Sequence, residues 1–160
     1  MSLLGGVAAG LAAGAAGTTA LNAVTYLDMA VRGRGTSSAP EDIVEVVAGK
    51  TGVEIPGEDD TRSNRLGGLG PLAGIATGLG VGSVLGAATA VGFRPSILVG
   101  GALTGVAAMA ATDAPMALLG VSDPRTWALR DWVADAVPHL VYGLVTAAVV
   151  ASLDHQAGLS

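Results

Sequence analysis

The sequence predicts an all-α fold, an integral membrane bundle of four transmembrane helices with glycine-row packing and a short amphipathic cytoplasmic helix in the first loop. Three observations lead there. Four apolar runs contain no Lys or Arg, and each is long enough to cross a bilayer, which takes about 20 helical residues. Only 13% of the 160 residues are charged and 51% are apolar, against about 25% charged in an ordinary soluble domain. A soluble chain this short needs polar surface to cover its core, and this composition lacks it. Glycines, 25 in all, recur at every fourth position in two of the runs.

The whole chain, 1–160, reads as a single membrane domain. The first run extends from Leu3 to about Val31. No Lys or Arg precedes Arg32, and a secretory signal needs a positive leading region, so this run is expected to stay in the membrane. The second runs from Leu66 to Phe93, the third from Ser96 to about Val121 and the fourth from Trp132 to Leu153. Their Gly content would suit flexible coil in water. In lipid every backbone polar group must be satisfied within the segment, which dictates helix.

The one long loop spans Arg32 to Arg65. A short helix is predicted from Pro40 to Ala48. Ser38 is placed to cap it, Pro40 suits its first turn, Glu41 and Asp42 favour its positive end, and Gly49 is a plausible stop. Ile43, Val44, Val46 and Val47 give it an apolar side suited to the membrane surface or the bundle. Gly57-Glu58-Asp59-Asp60 reads as an acidic turn. The second and third helices join through Phe93-Arg94-Pro95. The third and fourth join through a turn at Asp123-Pro124, with a helical lead-in to Trp127 and Trp132.

Arg32, Arg34, Lys50, Arg62, Arg65, Arg125 and Arg130 fall in the first and third loops, and Arg94 alone lies on the other side. The positive-inside rule places those loops in the cytoplasm and both termini outside, in a plasma membrane. Tyr26, Trp127 and Trp132 then sit near the cytoplasmic interface, where amphipathic rings collect. Residues 5–16 and 100–111 share seven identities in twelve, as duplicated hairpins would, although Gly/Ala-rich segments also match by chance.

Gly6, Gly10 and Gly14 form one row; Gly70, Gly74, Gly78, Gly82 and Gly86 form another. Gly101 and Gly105 add a shorter one. Residues four apart share a helix face, so each row is a groove without side chains. Lipid offers no hydrophobic drive between helices, and close van der Waals packing must hold a bundle together. Two uses fit the rows: packing the first helix on the second, or an outward face that assembles copies of the chain, even around a pore.

Asp28, Asp113, Asp135 and His139 are ionisable residues inside the runs, where they are costly and functional by default. The three carboxylates come out at similar depth toward the cytoplasmic side, with His139 deeper and Asn22 and Thr112 placed to join the layer. Asp131, Asp135, His139, Gly143 and Ala147 share one face of the fourth helix. A carboxylate one turn from an imidazole fixes its tautomer. Pro115 and Pro138 free the carbonyls of Ala111 and Ala134 beside these groups. One reading is a proton, cation or ligand site serving a small channel or transporter. The other is structural, with Asp28 and Asp135 paired to Arg32 and Arg130 at the interface.

Enzymatic chemistry is not indicated. An acid–base pair of Asp135 and His139 is the sole arrangement that would support it. Cysteine is absent, which removes thiolate nucleophiles, thiolate ligands and disulfides. No G-x-S-x-G elbow or phosphate-binding loop is present, a single His with carboxylates is a poor ligand set for a metal, and no cofactor is implied. No basic patch of the nucleic-acid type exists on a chain of net charge −5. The partners expected are the lipid bilayer and a second copy or another membrane protein. The reading favoured by these features is a non-enzymatic packing, assembly or accessory membrane protein.

The stretches RGRGTSSAPEDIVEVVAGKTGV and DWVADAVPHLVYGLVTA resemble segments of uncharacterised small multi-pass membrane proteins of actinobacteria. The resemblance implies the four-helix layout and carries over no functional residue.

Overall fold

A computed structural model describes residues 1–159 and is all-helical. Its helices are α1 (Leu3–Arg32), α2 (Ala39–Thr51), α3 (Asp59–Ala90), α4 (Ile97–Leu119) and α5 (Leu129–Ala157), with one 3-10 turn at Pro124–Thr126. Helices α1, α3, α4 and α5 are long and apolar enough to cross a membrane. Large apolar side chains also point outward: Leu4, Val84, Leu98 and Leu118 are 70 to 86% exposed. Water penalises such a surface and hydrocarbon does not. Together these features point to a multi-pass membrane protein.

The helix ends follow local chemistry. Ser2 Oγ accepts the Gly5 N–H at 3.1 Å to cap α1, and Ser96 Oγ accepts the Val99 N–H at 3.3 Å to cap α4. In α3 the acidic segment predicted as a turn is the helix start itself. Glu58 occupies the cap position and Asp59 and Asp60 the first turn, where the unpaired N–H groups favour negative charge. The helix therefore begins seven residues before Leu66. Similarly, α5 begins at Leu129 rather than Trp132 and runs on to Ala157.

Helix α2 differs from its sequence reading at both ends. Ser38 makes no capping bond to the backbone; its hydroxyl donates instead to Asp42 Oδ2 at 2.9 Å. Gly49 is passed through as helix, and the stop is Gly52 at φ 70°, a left-handed conformation that costs glycine nothing. A glycine inside a helix costs only about 1 kcal/mol, so Gly49 alone does not end one. Helix α2 lies against α3, and Glu45 pairs with Arg62 at 2.8 Å. Ile43, Val44 and Val46 are half-buried, and Val47 is exposed.

The long helices are arranged with α1 and α5 at the centre. Helix α1 packs antiparallel against both α3 and α5, and α4 packs against the far side of α5. Helices α3 and α4, consecutive in the chain, touch little. The core holds Ala13, Leu85, Ala147 and Val150, with Tyr142 and Thr146 fully buried beside them. The chain reversal before α5 is set by Asp123, whose carboxylate takes the Arg125 backbone N–H at 3.0 Å and its guanidinium at 2.9 Å. The guanidinium holds the Asp123 carboxyl below the usual carboxylate range. At the opposite end of the bundle Arg94 donates to Asp154 at 2.6 Å, which pushes the Arg94 pKa up.

Candidate functional site

Two crossings bring helix backbones into direct contact. At the first, a β-carbon built on Gly6 would lie 2.5 Å from the Gly86 carbonyl oxygen, and one on Gly14 would lie 2.5 Å from that of Gly78. Gly10 stands between them against Gly82 and Ser83, 2.7 Å from the Ser83 Cα by the same construction. The second crossing joins α4 to α5. A β-carbon on Gly105 would lie 2.7 Å from the His139 carbonyl oxygen, and Gly143 faces Gly101 and Gly105. Distances under 3 Å leave no room for a side chain.

The α3 row is not used along its whole length. Gly78, Gly82 and Gly86 meet α1 or its Thr18, but Gly70 meets Pro40 and Glu41 at the start of α2. Gly74 has no neighbour within 4 Å and faces outward.

The polar residues separate into two groups. Asp28 stands apart, held by Arg34 at 2.6 Å and Arg32 at 3.4 Å at the end of α1. No hydrogen bond or ion pair joins it to the other three among the described residues. Asp113 of α4 and Asp135 and His139 of α5 come together. Asp113 is 8% exposed and lies within hydrogen-bonding reach of the Asp135 carboxylate. Thr112 Oγ1 lies 3.4 Å from Asp113 Oδ1. His139 Nδ1 lies 2.9 Å from the Asp135 carbonyl oxygen and 3.3 Å from its Oδ1.

Arg130 does not reach Asp135; it pairs with Asp131, the closer carboxylate, at 3.5 Å. Asn22 is half-buried and makes no bond to the trio. At about 1.5 Å per residue, Asp113 and Asp135 each lie roughly 9 Å inside the ends of their helices, and His139 is deeper. Trp127 and Trp132 stack edge-on at 5.2 Å one turn above Asp135. Both Pro115 and Pro138 are accommodated within continuous helices. Two open clefts lie elsewhere, on the loop side of α3. One is acidic and lined by Glu41, Asp42, Glu45, Ser63 and Asn64; the other is apolar and lined by Ile55, Pro56 and Leu72. No group of three or more His, Asp or Glu among the described residues is arranged to hold a metal ion.

Two further residues matter that sequence reasoning left aside. Tyr142, 1% exposed, donates its hydroxyl to the Gly78 carbonyl of α3 at 2.6 Å. Thr146 donates to the Tyr142 carbonyl at 2.7 Å and faces the Ala13 carbonyl of α1 at 3.4 Å. Gly17 of α1 makes room for both. The signal available was Gly143, on the same face as Asp135 and His139 and next to Tyr142.

No family model matches this chain, and neither a curated protein nor a solved structure matches it.

Proposed function

We propose that this chain is a non-enzymatic assembly or accessory protein of the plasma membrane. In this reading it is a glycine-packed four-helix bundle that forms a larger complex with copies of itself or with another membrane protein. The observation that carries the packing in this reading is the α1–α3 crossing, where Gly6, Gly10 and Gly14 meet Gly78, Gly82 and Gly86, and the exposed Gly74, with no neighbour within 4 Å, leaves the outer half of α3 for a partner. In lipid, contact of this closeness is what holds helices together. The amphipathic α2 lies on the cytoplasmic side, since seven of the eight basic residues fall at its end of the bundle. Both termini are extracytoplasmic.

The separation of Asp28 from the other three polar residues, and its pairing with Arg32 and Arg34, supports this reading over a transport path through all four. The test is cross-linking in native membranes together with flux measurements on purified protein in vesicles. A cross-linked species larger than one chain is expected, with no proton or cation flux above that of empty vesicles. A protein that stays a single chain and conducts either ion would overturn the reading.

A further inference from the structure

Asp135 Oδ2 is the one side-chain oxygen or nitrogen among the described residues that is fully buried with no hydrogen-bond partner. Buried polar atoms are almost always satisfied, so an orphan needs a physical account. The Asp113 carboxyl of α4, 8% exposed, lies within hydrogen-bonding reach of the Asp135 carboxylate. A carboxylate is an acceptor only; two of them bond to each other when one carries a proton. Their proximity is imposed by the backbone, because α4 and α5 cross with Gly105 against the His139 carbonyl.

We propose that Asp113, Asp135 and His139 form an intramembrane proton-binding site, in which one proton is held between the two carboxyl groups and exchanges through His139. The bound proton gives Asp135 Oδ2 its missing partner and lowers the charge of the carboxyl pair from two to one. The titratable groups facing Asp113 are Asp135 and His139, and those facing His139 are Asp135 and Asp113. From α1, α2 and α3 no hydrogen bond or ion pair reaches the three among the described residues, so their charge is offset by a proton taken up within the trio or by a metal cation. The side chains are not arranged as a metal shell, which favours the proton.

His139 is built for the exchange step. Its Nδ1–H donates to the Asp135 carbonyl oxygen at 2.9 Å and stands 3.3 Å from Asp135 Oδ1. Its Nε2 makes no hydrogen bond and is not fully enclosed. A proton arriving at Nε2 forms an N–H bond there. The Nδ1–H bond then breaks as an O–H bond forms on Asp135, leaving a neutral imidazole protonated at Nε2. The reverse sequence releases the proton. The site binds a proton independently of whether the chain assembles with partners, and it requires no flux across the membrane.

Infrared difference spectroscopy on the full chain in lipid vesicles tests this. A protonated-carboxyl C=O band is expected at neutral pH, shifted in D2O and lost in both Asp113→Asn and Asp135→Asn. In His139→Gln the band is expected to persist while its D2O shift develops more slowly. Absence of the band from the wild type, or its survival in both Asn variants, would overturn the site. Loss of the band on adding sodium at constant pH would replace the proton by a metal cation and also overturn it. Unchanged exchange in His139→Gln would overturn the role given to His139. Should the Asn variants fail to fold, 15N NMR of His139 in a His155→Gln background decides. A neutral ring is expected at neutral pH, protonated at Nε2 once the carboxyl pair holds its proton, and a ring protonated at both nitrogens would overturn the proposal.

Discussion

Tyr142 joins three helices with one side chain. It stands on α5, covers Gly17 of α1 and bonds the Gly78 carbonyl of α3. Interhelical hydrogen bonds in membranes average only about 0.6 kcal/mol, so Tyr142→Phe should destabilise the bundle by roughly that amount. Tyr142→Ala also empties the junction and should cost about 3–5 kcal/mol, as aromatic-to-alanine changes do in cores. Unfolding in mixed detergent micelles measures both. Equal losses in the two variants would mean that the hydroxyl, rather than the ring, holds the junction. Sequence reasoning stops short of this residue because a lone aromatic in an apolar helix has no direction until its neighbours are known. The same limit divided the polar set. The Asp28–Arg32 pair follows from i, i+4 spacing, but the closer partner Arg34 lies past the end of α1, where helical spacing no longer applies. The meeting of Asp113 with Asp135 depends on the α4–α5 crossing, which neither residue's own segment encodes.

Among the elements, α3 combines two surfaces. From Gly78 to Gly86 it admits the backbone of α1, whereas around Gly74 it meets nothing. Gly82→Leu should therefore separate α1 from α3 and lower stability by about 1–3 kcal/mol, the usual cost of overpacking, or more. Gly74→Leu should leave the melting temperature in detergent unchanged. A variant at Gly82 that melts like the wild type would remove the crossing from the forces that hold the bundle. A Gly74 variant of normal stability but smaller complex size would place the outer half of α3 in an assembly interface. The existence and type of the long helices were readable from apolar run length alone. Their ends were not, because the polar extensions of α3 and α5 beyond the bilayer carry no hydropathy signal. The Gly49 stop was misplaced because an αL conformation, and not glycine itself, ends a helix.

For the molecule as a whole, the antiparallel order of α1, α3, α4 and α5 gathers seven basic residues at one end and leaves Arg94 at the other. With no native cysteine in the chain, single Cys variants report topology directly. In intact cells a membrane-impermeant maleimide should label His155→Cys and leave Glu54→Cys unlabelled until the cells are opened. The opposite pattern would invert the orientation. The internal similarity between residues 5–16 and 100–111 acquires a structural counterpart here. Gly6 and Gly10 approach α3 as Gly101 and Gly105 approach α5, so matching glycines in the two segments make matching crossings.

The central place of α1 has a consequence for biogenesis. It is synthesised first, and although one face meets α3, the next long helix, the other waits for α5; Ala13 and Thr146 are 133 residues apart. At about 5–20 residues per second, the ribosome needs on the order of 10 s to deliver α5 after α1 has entered the bilayer. For that interval the side of α1 that carries Ala13 and Gly17 is without its α5 partner, while the glycine row already meets α3. The α4–α5 hairpin, which carries the carboxyl pair, closes last. A ribosome stalled before α5 would leave a chain with Asp113 in the membrane and nothing opposite it.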